Sequence, residues 1–257
     1  ISEMTMAIII QDEKPLRSDW LKPISRGNFI LRSNLLQLTN HALAILGLIE
    51  RGFSNSARSL LRTFIEATWL TVIFCGNRDK AQQYAKSMDF LEAKKIWQQH
   101  FSPKAMKISL SDIERQFDWG EDITKYLHKH REQIYQLHTQ SAHNTSSVLG
   151  LLSFDSSLSD DSEDTAFYPA LHGRVGLASK ATLEDTIDVL GYGVLMFFLL
   201  FRTVHKHIVL DRESLWACSQ TLAIGSLGIW FGSRGFKPVG NMWYDDSENT
   251  DLNKSEG

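Results

Sequence analysis

The chain is poor in the residues that mark several common protein classes. It has 257 residues and two cysteines, Cys75 and Cys218. Both lie in apolar runs, where a cysteine serves as a small buried hydrophobe. With no CxxC spacing and no set of pairs, neither a zinc knuckle nor a disulfide framework is implied, and a reducing cytoplasm is the expected compartment. Long apolar runs are also missing. The longest, Val189 to Phe201, spans thirteen residues with its glycines counted, whereas a bilayer-crossing helix needs about 20. That run reads as a core helix, so no membrane span is expected. No secretory signal is visible from Ile1 onward. The sequence has no glycine-rich phosphate loop, no GxGxxG, no HExxH and no GxSxG. Carboxylates are not paired at a spacing suited to general acid–base work, and basic residues are too dispersed for a groove-reading DNA module. No metal and no small-molecule cofactor is expected.

What is present is an ordinary globular composition, 43% hydrophobic and 22% charged, with unevenly placed charge. The formal net charge is −3. Residues 153–165 carry Asp155, Asp160, Asp161, Glu163 and Asp164 and no base, and residues 245–257 are also strongly acidic. The rest of the chain is therefore mildly basic. Such a body with two acidic segments suits either anion binding or solvated loops beside an average surface.

Apolar residues recur at helical spacing through most of the chain. Leu31, Leu35, Leu38, Ala42, Ile45 and Ile49 share one face of a helix that Gly52 ends. The next helix, about 55–75, is apolar on most sides and is expected at the centre, capped by Ser54 or Asn55. The short turn between them makes an antiparallel hairpin. A more polar third helix is expected over 78–100, ended by Pro103. A short amphipathic one capped by Ser109 or Ser111 should follow, and a fifth should run from Glu121 to His143. Residues 144–180 read as a long irregular loop, with a short strand or turn near Val148 to Phe154. Two further helices are expected, about 182–207 with Thr182 as cap and Asp185 in its acidic first turn, and about 212–231. The fold class is all-α: an antiparallel bundle of about six to seven helices. Its organisation is an N-terminal extension (1–26), a single helical domain (27–240) and a disordered acidic tail (241–257).

Three polar constellations interrupt this pattern. Arg58, Arg62 and Glu66 form a stripe on the otherwise apolar second helix. Buried charge must be paired, but arginine preceding glutamate by four is the weaker order within one helix. These residues should therefore reach other helices, as structural ion pairs or as an anion or catalytic site. On the fifth helix Arg131, Tyr135, Thr139 and His143 share a ladder with His138 beside it. Such residues bind phosphate and move protons, or they form an ordinary half-exposed face. The third group, Arg202, His205 and His207, has a sufficient cause in the dipole at a helix C-terminus.

The stretch Ala57-Arg58-Ser59-Leu60-Leu61-Arg62-Thr63-Phe64-Ile65-Glu66-Ala67 resembles the Arg-Ser-Leu-x-Glu helix of a bacterial family of unknown function. Tyr135 to His143 resembles the same family's Tyr-x-x-Leu-Ser-x-x-x-His segment, with His138 in place of the leucine and Thr139 in place of the serine. The turn Glu50-Arg51-Gly52-Phe53 is also similar, and the resemblance spans about residues 30–150. The layout is similar to the HEPN superfamily, which includes metal-independent ribonucleases with an arginine and, a few positions on, a histidine; many are toxins or antiviral effectors. Arg131 to His138 and Arg202 to His207 both satisfy that spacing. The polar residue after each arginine is Glu132 or Thr203, which departs from the pattern.

Two functions follow. One is a non-catalytic interaction module, a component of a bacterial defence or toxin system, that binds a partner protein or forms a homodimer. An exposed aromatic patch of Trp230, Phe231, Phe236, Trp243 and Tyr244 would serve it; the alternative is that these rings finish the core. The other is a metal-independent ribonuclease acting on RNA, in which a histidine takes the ribose 2′-OH proton and an arginine stabilises the phosphate. Its candidate residues are Arg62, Glu66, Arg131, Tyr135, His138 and His143. In an enzyme these should meet at an open cleft; in a module they should satisfy one another or lie scattered.

Overall fold

The computed structural model describes residues 26–86, 90–117, 119–142, 154–156, 167–169, 175–203, 215–239 and 242–245. Within them the chain forms eight α-helices: α1 (Arg26–Glu50), α2 (Ser54–Gly76), α3 (Arg78–Ala85), α4 (Phe90–Ile96), α5 (Pro103–Glu114), α6 (Glu121–Ala142), α7 (Leu177–Thr203) and α8 (Leu215–Ser233). The fold is all-α, with two short antiparallel strand pairs attached. One joins β1 (Phe154–Ser156) to β2 (Phe167–Pro169), and the other joins β3 (Phe236–Val239) to β4 (Met242–Asp245).

α2 is the axis of the bundle. It packs on α1, α3, α5, α6 and α7, and Leu61, Phe64, Ile65, Val72 and Ile73 are sealed from solvent. By length and apolarity it is the one described helix able to cross a bilayer, but 67% of the relevant window is buried inside the fold, as a central helix requires. Cys75 lies at its end, and burial pushes the thiol up to about 12. The α1–α2 hairpin turns at Gly52, whose φ of 72° suits glycine, with Phe53 N–H donating to the Leu48 carbonyl at 2.8 Å to close the helix end.

Helix boundaries differ from expectation where serine, threonine and proline found other uses. The third helix is interrupted: α3 ends at Ala85, and α4 runs into a π-helical turn at Trp97–Phe101. Residues 87–89 between them, including Met88, lie outside the described residues. Pro103 does not end that segment but begins α5, at the first position where its missing N–H costs nothing. Ser102 is the cap, accepting from Ala105 N–H at 3.4 Å. Ser109 and Ser111 lie inside α5 and bond back to the Ala105 and Lys107 carbonyls. Likewise Thr182 does not cap α7, which starts five residues earlier; its hydroxyl donates to the Ala178 carbonyl at 2.6 Å. Ser54 does not cap α2 either, because its hydroxyl meets that of Ser179 at 2.8 Å. Short hydroxyls satisfy themselves on the preceding turn or across helices as readily as at a cap.

The C-terminal end also departs from the sequence reading. Trp230 and Phe231 are 3% and 2% exposed, so they finish the core instead of forming a surface patch. All of β4, Met242–Asp245, lies within the stretch read as a disordered tail.

Candidate functional site

A polar interior runs between α2, α5, α6 and α7, and it forms because each helix carries a polar stripe on its inner face. On α2 the stripe is Arg58, Arg62 and Glu66, one turn apart. On α7 it is Thr182, Asp185, Asp188 and Tyr192, spaced by three and four. The stripes meet in four clusters.

The first holds Arg62, Glu66 and Tyr135. Arg62 donates to Glu66 Oε1 at 3.4 Å and to the Tyr135 hydroxyl at 3.4 Å, and that hydroxyl donates to Glu66 Oε1 at 3.2 Å. The Tyr135 ring stacks on Trp69 with centroids 4.9 Å apart. Lys107 of α5 also sits over the Tyr135 ring, 5.0 Å from its centroid, where the ring's negative face attracts a cation. Lys107 also donates to Glu132 at 2.7 Å, which holds the Glu132 carboxyl below its ordinary range. Burial, helped by the charge on Glu66, pushes the Tyr135 phenol up. The Arg62 and Glu66 side chains keep 22% of their surface exposed.

The second cluster has the same composition but is sealed. Arg131 makes a close ion pair with Glu114 and donates to the Ser111 hydroxyl at 3.2 Å, while the Tyr192 hydroxyl donates to Glu114 Oε1 at 2.8 Å. All three charged or phenolic residues are at most 5% exposed. Burial raises the Glu114 carboxyl despite Arg131 beside it, and it raises the Tyr192 phenol further.

In the third, His138 Nε2 lies 3.1 Å from Asp185 Oδ2, and Arg58 Nε donates to the Thr182 hydroxyl at 2.9 Å. Arg58 is lowered by burial, offset in part by Asp185, and stays charged as arginine does. His138 is wholly buried. The fourth is centred on Asp188, which accepts from Trp230 Nε1 at 2.9 Å and from Arg234 Nε at 3.1 Å, with His130 Nε2 at 3.6 Å.

The six sequence candidates are therefore divided. Arg62, Glu66 and Tyr135 come together. Arg131 and His138 lie on the same helix as Tyr135 but belong to the second and third clusters. His143 lies outside the described residues, as do His205 and His207. The residues that complete the clusters, Glu114, Lys107, Asp185, Asp188 and Tyr192, were not among the candidates. The α7 residues had a visible signal: Asp185, Asp188 and Tyr192 fall at i, i+3 and i+7 in an apolar helix, the same pattern that marked Arg58, Arg62 and Glu66. Placing the helix start at Thr182 made Asp185 look like a first-turn dipole partner.

Four cations in this interior face a carboxylate of their own: Arg62 has Glu66, Lys107 has Glu132, Arg131 has Glu114 and Arg234 has Asp188. Arg58 donates to Thr182 and feels the charge of Asp185, which His138 shares. A cavity between Ile65, Trp69, His130, Arg131, Ile134, Asp188, Val189 and Tyr192 has a volume of about 20 Å³, room for roughly one water. Among the described residues no group of three or more histidine, cysteine, aspartate or glutamate side chains is placed to hold a metal ion.

Fold and interior define an all-α bundle whose helices are cross-tied by ion pairs. The chain belongs to a family of unknown function, DUF5677, whose model matches residues 28–165, from α1 through α6; α7 and α8 lie beyond the match. No curated protein and no solved structure matches the chain.

Proposed function

We propose that this chain is a non-catalytic helical interaction module that works in the cytoplasm by holding a partner protein or a second copy of itself. The observation that carries the reading is the one-to-one pairing of charge. Binding a substrate phosphate needs uncompensated donors aimed at it, and here Arg62, Lys107, Arg131 and Arg234 each already have an anion. The nearby cavity admits a water and not a substrate. The surface supports the same reading: α8 has no charged residue along its length, yet Leu222, Ile224 and Ile229 are 57–77% exposed, the kind of apolar face that marks an interaction surface. The likeness to HEPN proteins would make the module part of a defence or toxin system.

A second reading, the metal-independent ribonuclease, is favoured by one observation. Arg62 and Glu66, which meet Tyr135, keep part of their surface open to solvent, and in the sequence His143 falls four residues after Thr139 and eight after Tyr135. Against it stands His138, which is wholly buried and held by Asp185, while a general base must reach the proton it takes.

Labelled single-stranded RNA and transfer RNA incubated with the protein in EDTA separate the two. The module predicts no cleavage by the protein, by Arg62→Ala or by His143→Ala. Cleavage that disappears in either variant would overturn it. Analytical ultracentrifugation of the protein alone then distinguishes a second copy from a different partner.

A further inference from the structure

We infer that His130, Asp188 and Arg234 form an acid-sensitive latch that fastens α8 to α6 and α7. α8 sits at the edge of the bundle, packed mainly on α7 and on its own β3, and so depends on few anchors. The apolar anchor is Trp230, which lies so close over Gly191 that a Cβ there would overlap the indole ring. The polar anchor is Asp188, 6% exposed, which accepts from Trp230 and Arg234 together. Breaking that carboxylate's bonds would leave buried polar groups unpaired.

His130 stands beside this anchor as a partly buried imidazole whose Nε2 is shut off from solvent. Its ring stacks on Tyr126, with centroids 5.3 Å apart and 12° between planes, and its Nε2 has no hydrogen-bond partner among the described residues. The charges that act on it come from α7 and from the turn after α8. α7 supplies Asp188 and Asp185, which favour a proton on the ring. The end of α8 supplies Arg234, which opposes it. On α6 itself Tyr126 is neutral, pushed up to about 12, and Arg131 is neutralised by Glu114 of α5. β4, which runs beside α6, carries Asp245. α2 presents only Ile65 and Trp69 to the cavity beside His130.

The outcome is decided by charge count. Asp188 is one carboxylate already held by Arg234. Trp230 and Arg234 both bond to Oδ1, while His130 Nε2 lies 3.6 Å from Oδ2, beyond hydrogen-bond distance, so a proton on His130 sets a second cation beside Arg234 in a largely desolvated place with no bond to hold it. Burial accordingly lowers the His130 imidazole below its ordinary range. With the closed-latch pKa below the open one, the open form binds more protons. The latch is therefore tight above pH 6.5 and loosens as pH falls below it.

Hydrogen exchange of full-length protein, corrected for intrinsic rates, tests this. Protection of the α8 amides should fall between pH 7.5 and 5.5, by at most about tenfold, the limit set by an open-form imidazole at its ordinary value, while α2 stays protected. In His130→Gln, α8 protection should be level across that range. Arg234→Gln serves as an independent variant on a third-exposed side chain. Freed of its competitor, protonated His130 can take Asp188, so α8 protection should hold or rise on acidification. Equal α8 protection at both pH values in the unaltered protein would overturn the latch. So would an acid loss that persists unchanged in either variant.

Discussion

The bundle contains two triads of identical composition, Arg131–Glu114–Tyr192 and Arg62–Glu66–Tyr135, and they differ in their access to water. The first is sealed between α5, α6 and α7. The second lies between α2 and α6 with its charged members 22% exposed. A buried ion pair recovers its desolvation cost only through good geometry and added hydrogen bonds, and the sealed triad has both, from Ser111 and Tyr192. The open triad keeps part of its hydration, so its bonds are longer and its loss should be cheaper. Chemical identity alone does not separate a structural tie from a working site; the surroundings do.

The largest effect should come from breaking the sealed triad on one side. Arg131→Met leaves Glu114 buried without its cation and should cost about 3–5 kcal/mol in urea unfolding. The double variant Arg131→Met with Glu114→Leu should recover most of that loss, since an apolar replacement of both partners carries no orphaned charge. Next comes packing at the edge. Gly191→Ala places a methyl against the Trp230 ring and should cost about 1–3 kcal/mol, seen as a lower Tm and faster exchange in α8. The pair of phenols starts at the same size and falls below it. Tyr192→Phe strips a donor from a buried carboxylate and should cost about 1–3 kcal/mol, whereas Tyr135→Phe, whose partners can turn to water, should cost about 1 kcal/mol. Smallest is Glu66→Gln, with an expected loss of at most about 1 kcal/mol. If Glu66→Gln and Arg131→Met cost the same, the contrast between the triads fails.

Much of this architecture was legible in the sequence because helical periodicity is a local signal. The central place of α2 followed from apolar residues on nearly every side, and the α1–α2 hairpin from Gly52. The polar stripe of Arg58, Arg62 and Glu66 was legible for the same reason, as was the need for partners on other helices. The partners themselves were not. Glu114 is one carboxylate near the end of a short helix, and nothing local distinguishes it from a solvated glutamate such as Glu121. Likewise Arg131 and Tyr135 share a ladder on α6, yet one turn of helix delivers them to different clusters. Which residues meet depends on how α5, α6 and α7 are packed, and spacing along one chain segment does not carry that information.

Arg62 and Lys107, the inner cations nearest solvent in the open triad, are held by Glu66 and Glu132. The most direct test of that pairing is fluorescence anisotropy of a labelled single-stranded RNA titrated with protein at physiological salt, beside Arg62→Ala and Lys107→Ala. The account predicts that neither substitution changes the binding curve, because neither side chain has charge to spare for a phosphate. Saturable binding that is lost in either variant would show an anion site where paired charges are described, and would contradict it.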